Sequence, residues 1–180
     1  MIRLILLIGL PGSGKSSLAQ QLVTQSQRCQ LISTDAIRAQ LFGDESIQGP
    51  WLLVWEQLQR QFQQAVARIL QHQILEAIYD ATNAVQEQRR DAIALARSIG
   101  FTQITGLWLD IPLQVCLERN RTRQRRVPEE VIVQMYRSLQ AAPPSFRDGL
   151  DQLIRCTDTH STEIAIAPLQ TYPPQNPERI

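Results

Sequence analysis

Lysine is nearly missing from this chain: of 180 residues only Lys15 is one, and every other basic side chain is arginine or histidine. Cysteine is also scarce. Cys29, Cys116 and Cys156 stand far apart, are odd in number and form no C-x-x-C pair. That pattern argues against a disulfide framework or a zinc site and fits buried thiols in a reducing cytosol. Excess charge of one sign is absent, since the formal net charge is +1. No global field draws the protein to nucleic acid or to a membrane, so any nucleic-acid contact must come from a local patch. Long apolar runs are absent too, and none approaches the length that spans a bilayer. The opening Met1-Ile2-Arg3 and the apolar run behind it superficially resemble a signal peptide. The run is short, has no small-residue cleavage site and leads straight into a glycine-rich turn, which excludes that reading. The length fits one domain with a real core, no internal repeat is visible, and the expected location is cytoplasmic.

What is present is concentrated near the start. Gly9-Leu10-Pro11-Gly12-Ser13-Gly14-Lys15-Ser16 has the spacing G-x-x-x-x-G-K-[ST] of a phosphate-binding P-loop. It lies between an apolar strand-like run, Ile2 to Ile8, and a helix-like stretch, Ser17 to Gln25, which is the context the motif needs. Gly12 and Gly14 let the backbone point several N–H groups at one spot. The following helix adds its unpaired N-terminal amides and the positive end of its dipole. Lys15 suits the β- and γ-phosphates of a nucleoside triphosphate, and the Ser16 hydroxyl suits Mg²⁺.

Further along, strands and helices alternate. Strands are expected at 28–33, 74–79, 101–109 and 153–156, and helices at about 34–41, 51–69, 86–99, 113–126 and 128–141. Thr34 or Asp35 is the expected cap of the second helix. In the long helix, Trp51, Trp55, Leu58, Phe62, Val66 and Ile69 recur at helical steps and read as its core face. His72 reads as a surface or C-terminal cap residue. The alternation predicts an α/β fold, a parallel sheet of about five strands with helices on both faces and ligands at the C-terminal strand ends. Residues 1–157 make the expected domain, and the Thr- and Pro-rich 158–180 an expected poorly ordered tail.

Three groups carry candidate chemistry. Asp35 follows the second strand, with Arg38 one helical turn on. One reading makes Asp35 the base that orients an acceptor hydroxyl and takes its proton, and Arg38 the holder of an anionic part of the acceptor. The other makes them a helix cap and a surface charge, and spacing does not separate the two. Asp80 ends an apolar strand, as a metal-shell carboxylate does, although a turn residue bonding its own backbone has the same pattern. In the arginine cluster Arg119, Arg121, Arg123, Arg125 and Arg126, a continuous helix would put Arg119, Arg123 and Arg126 on one face. That face would close over nucleotide phosphates, while Arg121 and Arg125 point away as a solvated helix end.

The ordered set resembles the polynucleotide-kinase-like branch of P-loop kinases, related to ATP-binding AAA and zeta-toxin proteins. The resemblance covers most of 4–153. It rests on Gly9 to Ser17, Ser33-Thr34-Asp35 with Arg38, Tyr79-Asp80-Ala81-Thr82-Asn83 with Arg89-Arg90, Arg119-Asn120 with Arg123, and Val127 to Ile132. It implies a P-loop kinase core with an arginine-bearing lid. ATP would be held by Gly12, Ser13, Gly14, Lys15, Ser16, Ser17, Arg119 and Arg123, and Mg²⁺ by Ser16 and Asp80. Lys15, Asp35 and Arg123 would be catalytic, with Asp35 and Arg38 on the acceptor. The implied reaction moves the γ-phosphate of ATP to a hydroxyl, foremost the 5′-hydroxyl of a short or single-stranded nucleic acid. Small-molecule, zeta-toxin-like and tRNA-linked kinases, and a non-catalytic ATP-binding module, remain open. Near the end, Ser145 to Asp151 departs from the family's Pro-x-x-x-Glu-Gly-Phe-Asp, leaving the last strand's register open.

Overall fold

The structure, a computed structural model, describes residues 1–26 and 28–157. The strands β1 (Arg3–Gly9), β2 (Cys29–Ser33), β3 (Glu76–Asp80), β4 (Gln103–Leu109) and β5 (Gln152–Cys156) form one sheet. Their order is β2-β3-β1-β4-β5, and every pairing is parallel. Parallel neighbours need crossovers, supplied here by helices. They are α1 (Lys15–Ser26), α2 (Thr34–Phe42), α3 (Trp51–Leu70), α4 (Gln86–Ile99), α5 (Leu113–Thr122) and α6 (Glu129–Ala141). Four consecutive residues at the C-terminal end of β1, and four in β3, are buried, as expected of strands covered on both faces. The chain leaves β1 towards β2 on one side and returns from β3 to β4 across β1. Such a reversal opens a crevice at the carboxyl ends of the central strands. No helix among the described residues is long and apolar enough to cross a membrane.

Several local expectations are corrected. The cap of α2 is Ser33, whose Oγ accepts from the Ala36 amide, so neither Thr34 nor Asp35 is spent on capping. The core face of α3 is Val54, Leu58, Phe62, Ala65 and Ile69. Phe62 meets Tyr79 and Phe101 edge to face, each at 5.5 Å, which fixes the helix's rotation against the sheet. Trp51 is consequently 48% exposed, and Trp55 and Val66 sit at the margin. Helix α5 ends at Thr122, because Arg123 is extended (φ −76°, ψ 151°). The arginines from 123 onward therefore do not continue the face of Arg119. His72 is exposed just past the end of α3, at φ 58°. All three cysteines are free, with Cys116 buried and the other two half-buried. The expected tail, 158–180, lies outside the described residues.

The register of β5 is settled by charges. Thr105 pairs with Gln152 and Leu109 with Cys156. Asp151 Oδ2 accepts from the Ile104 amide at 2.6 Å and from Arg97 Nη2. The preceding Asp148 is buried against Arg89, and neither side chain is exposed at all. Arg89 Nε donates to Asp148 at 2.9 Å, Nη1 to the Asn83 carbonyl at 2.9 Å and Nη2 to the Ala142 carbonyl at 3.0 Å. Asp148 also accepts from Gln86, Arg90 and the Ser145 amide. Burial alone would raise its pKa, but these hydrogen bonds outweigh burial and hold the carboxyl below its ordinary value. Its contribution is therefore present above the ordinary carboxylate range and is lost as acid protonates it.

Asp148→Asn leaves the Arg89 charge buried without its counter-ion and should destabilise the protein by about 3–5 kcal/mol. Urea unfolding reads this as a lower midpoint at constant slope. A loss below about 1 kcal/mol, the range of an exposed pair, would contradict the role assigned to the clamp.

Candidate functional site

The site is built where β1 stops. Gly12 and Gly14 have φ of 84° and 98°, which only glycine adopts without strain, so the loop doubles back into α1. A methyl group on Gly12 would overlap the Cys116 carbonyl, so the loop packs directly on α5. Around Gly14 nothing lies within 4 Å of the position a Cβ would take. The loop is thus backed by protein on one side and open on the other. The first amides of α1 have no acceptor within the helix and form an anion-binding end there. In the loop before α1, the Ser13 amide donates to the Leu10 carbonyl at 3.0 Å.

Lys15 is 7% exposed. Its Nζ donates to the Leu10 carbonyl at 2.8 Å and to Ser13 Oγ at 3.4 Å. Burial pulls its pKa from 10.5 down to about 8, with Asp80, Cys116 and Asp35 opposing the fall and Arg123 adding to it. Asp80, at the end of β3, shows the mirror image. Burial raises its pKa, and a hydrogen bond with Ser16 and the charge of Lys15 only partly offset that. A buried cation and a buried carboxylate, each pushed towards its neutral form, fit a site that binds a phosphate anion with its cation. No cluster of three or more metal-ligating side chains occurs among the described residues. One carboxylate and one hydroxyl suit Mg²⁺, which keeps waters and binds through substrate phosphates.

A second group of charged side chains starts one strand away. Ser33 pairs with Asp80 in the β2–β3 register, which brings Asp35, in the first turn of α2, beside the phosphate loop. Asp35 is close enough to influence both Lys15 and Asp80. Its Oδ1 accepts from Arg38 Nη1 at 3.3 Å and its Oδ2 from Arg125 Nη1 at 2.5 Å. The guanidinium of Arg38 lies over the ring of Trp51, 5.8 Å from its centroid, with Trp55 6.0 Å beyond.

The fold therefore gathers Lys15, Ser16, Asp35, Arg38, Asp80 and Arg123 beyond the carboxyl ends of β1, β2 and β3. Ser16 and Ser17 are exposed on the first turn of α1, and Arg123 is exposed but near enough to act on Lys15 and Asp80. Arg119 is half-buried on α5 near Cys116, and Arg126 is exposed. Arg121 pairs with Glu129 at 2.7 Å on the outside, as the solvated reading expects. Arg125, expected to point away with it, does not: it reaches Asp35. The physical reason is the end of α5. Beyond Thr122 the helical period no longer applies: Arg123 is extended and the chain bends through 123–125, so Arg125 is not carried round beside Arg121. Buried Asn120 closes this loop at its base, donating to the Val127 carbonyl at 2.8 Å and accepting from its amide at 3.0 Å. Asn83 is the other unexpected member. From a left-handed turn (φ 47°) its Nδ2 donates to the Leu7 carbonyl at 2.7 Å, so it braces the sheet.

A family model described as an AAA domain matches residues 4–142. Among curated proteins, the L-seryl-tRNA(Sec) kinase of Methanococcus maripaludis is 30% identical over 141 residues, 74% of this chain and 51% of that protein. The chain thus spans about half the length of that relative. Among solved structures, a chain of the Pnkp1/Rnl/Hen1 RNA repair complex aligns with a TM-score of 0.62 at 24% identity, covering 77% of this chain and 44% of its own. A sugar kinase from Janibacter sp. HTCC2649 aligns at 0.58 with 18% identity, covering 87% and 86%. The tunicamycin resistance protein of Deinococcus radiodurans aligns at 0.56 with 18% identity, covering 86% of each chain. At these identities the structural matches speak for the fold.

Lys15→Met removes a buried charge and leaves the Leu10 carbonyl its bond from the Ser13 amide. Ligand-free stability near pH 7 should rise by on the order of 1–3 kcal/mol. Between about pH 8 and 10.5 the unfolded chain holds the Lys15 proton that the folded one has released. Wild-type stability gains with pH there, and the difference between the two proteins should shrink. Urea unfolding across that window checks the sign, and a difference independent of pH would contradict it.

Proposed function

The chain belongs to the AAA domain family, with a kinase-like P-loop core, and from that membership we propose that it is an ATP- and Mg²⁺-dependent phosphotransferase acting on a hydroxyl. The observation that carries this is the electrostatic cluster of Lys15, Asp80 and Asp35, which sets a second, more exposed carboxylate against the phosphate cradle. An ATP-hydrolysing or merely nucleotide-binding module needs Lys15 and Asp80 but has no use for Asp35 with Arg38.

In this reading Gly12 to Ser17 and Lys15 hold the phosphates, with Arg119 and Arg123 on the nucleotide. The amides and Lys15 stabilise charge that builds on the transferring group, and Arg123 adds a cation from the loop after α5, which serves as the lid. Ser16 and Asp80 hold Mg²⁺, which when bound neutralises charge on the β- and γ-phosphates. Asp35 takes the acceptor's proton as the acceptor oxygen bonds to the γ-phosphorus and the bond to ADP breaks. Arg38, braced against Trp51, holds an anionic group of the acceptor. The most favoured acceptor is the 5′-hydroxyl of a nucleic acid, where a phosphodiester follows the hydroxyl. A tRNA-linked hydroxyl is the second reading, favoured by the similarity to L-seryl-tRNA(Sec) kinase.

γ-Labelled ATP with Mg²⁺, offered with a 5′-hydroxyl oligonucleotide, seryl-tRNA, nucleosides and sugars, tests the acceptor. Label on the oligonucleotide is expected, and label on seryl-tRNA or a sugar alone would move the assignment. Asp35→Asn should slow transfer at least ~100-fold with ATP affinity nearly intact, the scale of a lost general base. Undiminished transfer would remove Asp35 from the mechanism.

A further inference from the structure

Resting on the kinase reading, we propose that Arg125 is an acceptor-selecting residue: it holds Asp35, and it passes to an anionic group beside the acceptor hydroxyl when substrate enters. Four observations support this. Arg125 comes from the loop between α5 and α6, ninety residues from Asp35 in the chain, yet its Nη1 is 2.5 Å from Asp35 Oδ2. The other oxygen of the same carboxylate is held by Arg38. One carboxylate thus bridges two guanidinium groups, the arrangement a phosphate group takes between a pair of arginines. Both arginines are mostly covered, with side chains 13% and 23% exposed, while Asp35 is 41% exposed. Arg38 Nε is buried and donates to no acceptor, so this pair of arginines has donors to spare.

The loop gives the device its reach. Arg123 and Arg125 are two apart beyond the end of α5, with Arg123 acting on Lys15 and Asp80 and Arg125 bound to Asp35. One short segment therefore touches the donor half and the acceptor half together. Glu45 also lies near Arg125, at 3.6 Å, but is half exposed and screened by solvent. To take a proton, Asp35 must turn a lone pair to the acceptor hydroxyl. A substrate whose hydroxyl stands beside a phosphate offers Arg125 and Arg38 an anionic replacement for Asp35 and releases it. A neutral polyol offers none. Selection against neutral hydroxyls then follows from the same contact that restrains the base.

Thymidine 3′-monophosphate and thymidine carry the same 5′-hydroxyl and differ only in the phosphate, so they are the test pair. The wild type should prefer the nucleotide. Arg125→Gln should cut that preference at least about tenfold, the size of one lost charge-assisted hydrogen bond, through the KM of the nucleotide. The KM for ATP should move less than about twofold. Arg121→Gln, which loses only the outer pair with Glu129, is the matched control and should leave the preference as it is. Equal loss on both acceptors, a loss carried by the KM for ATP, or an unchanged preference would each overturn the assignment. If the wild type transfers phosphate to neither, it is the kinase reading that fails. The arginine assignment is then read by calorimetric binding of the nucleotide without ATP. Arg125→Gln should weaken that binding at least about tenfold, and equal binding by both proteins, or none by the wild type, would overturn it.

Discussion

A buried arginine holds the phosphate-binding end of this sheet together. Arg89 has no solvent contact and spends its donors on Asp148, Asn83 and Ala142, which lie before and after it in the chain. Asn83 in turn donates to the Leu7 carbonyl, and the Gly9 amide donates to the Thr82 carbonyl. The turn after β3 is thereby tied to the last residues of β1, where the glycine-rich loop begins. A buried charge is costly without its partner, so this network is either complete or strongly destabilising. That makes the position of the loop depend on a contact between the middle and the end of the domain.

On this rigid base the cleft itself is arranged against stability. Lys15 and Asp80 are both buried, and burial drives each towards its neutral form. A protein optimised for the ligand-free fold would replace them with apolar side chains. Keeping them leaves a preorganised field suited to a phosphate and a cation, the usual trade between site and stability. Gly12 adds a steric constraint, because the loop packs so closely on α5 that no side chain fits. Any shift of α5 would therefore move the cradle and the arginine loop together.

The sequence was most legible where one signal decided the outcome. The phosphate loop, the parallel sheet and the carboxylate at the end of β3 follow from spacing and apolar runs. Legibility failed where two local patterns competed. In α3, Trp51 and Trp55 fit a helical stripe as well as Val54 does, and only the edge-to-face packing of Phe62 on Tyr79 and Phe101 sets the rotation. Capping of α2 fell to Ser33 because its extended backbone leaves the hydroxyl free to meet the Ala36 amide. Among the arginines, helical periodicity placed Arg125 outside. The helix stops at Thr122, buried Asn120 pairs with Val127 across the loop, a contact with no composition signal, and beyond the helix end Arg125 turns inward to Asp35. Asp148 looked like a departure from a family pattern and proved to be the acid that the buried arginine requires.

The central claim is that donor and acceptor meet in one cleft, with Lys15 on one side and Asp35 on the other. A crystal structure with Mg²⁺, a non-hydrolysable ATP analogue and a 5′-hydroxyl dinucleotide tests it most directly. The account predicts the γ-phosphate on the amides of α1 and Lys15, and the acceptor oxygen within about 2.6–3.2 Å of Asp35. A dinucleotide bound with its hydroxyl away from Asp35, or an analogue whose phosphates leave Lys15 untouched, would contradict it.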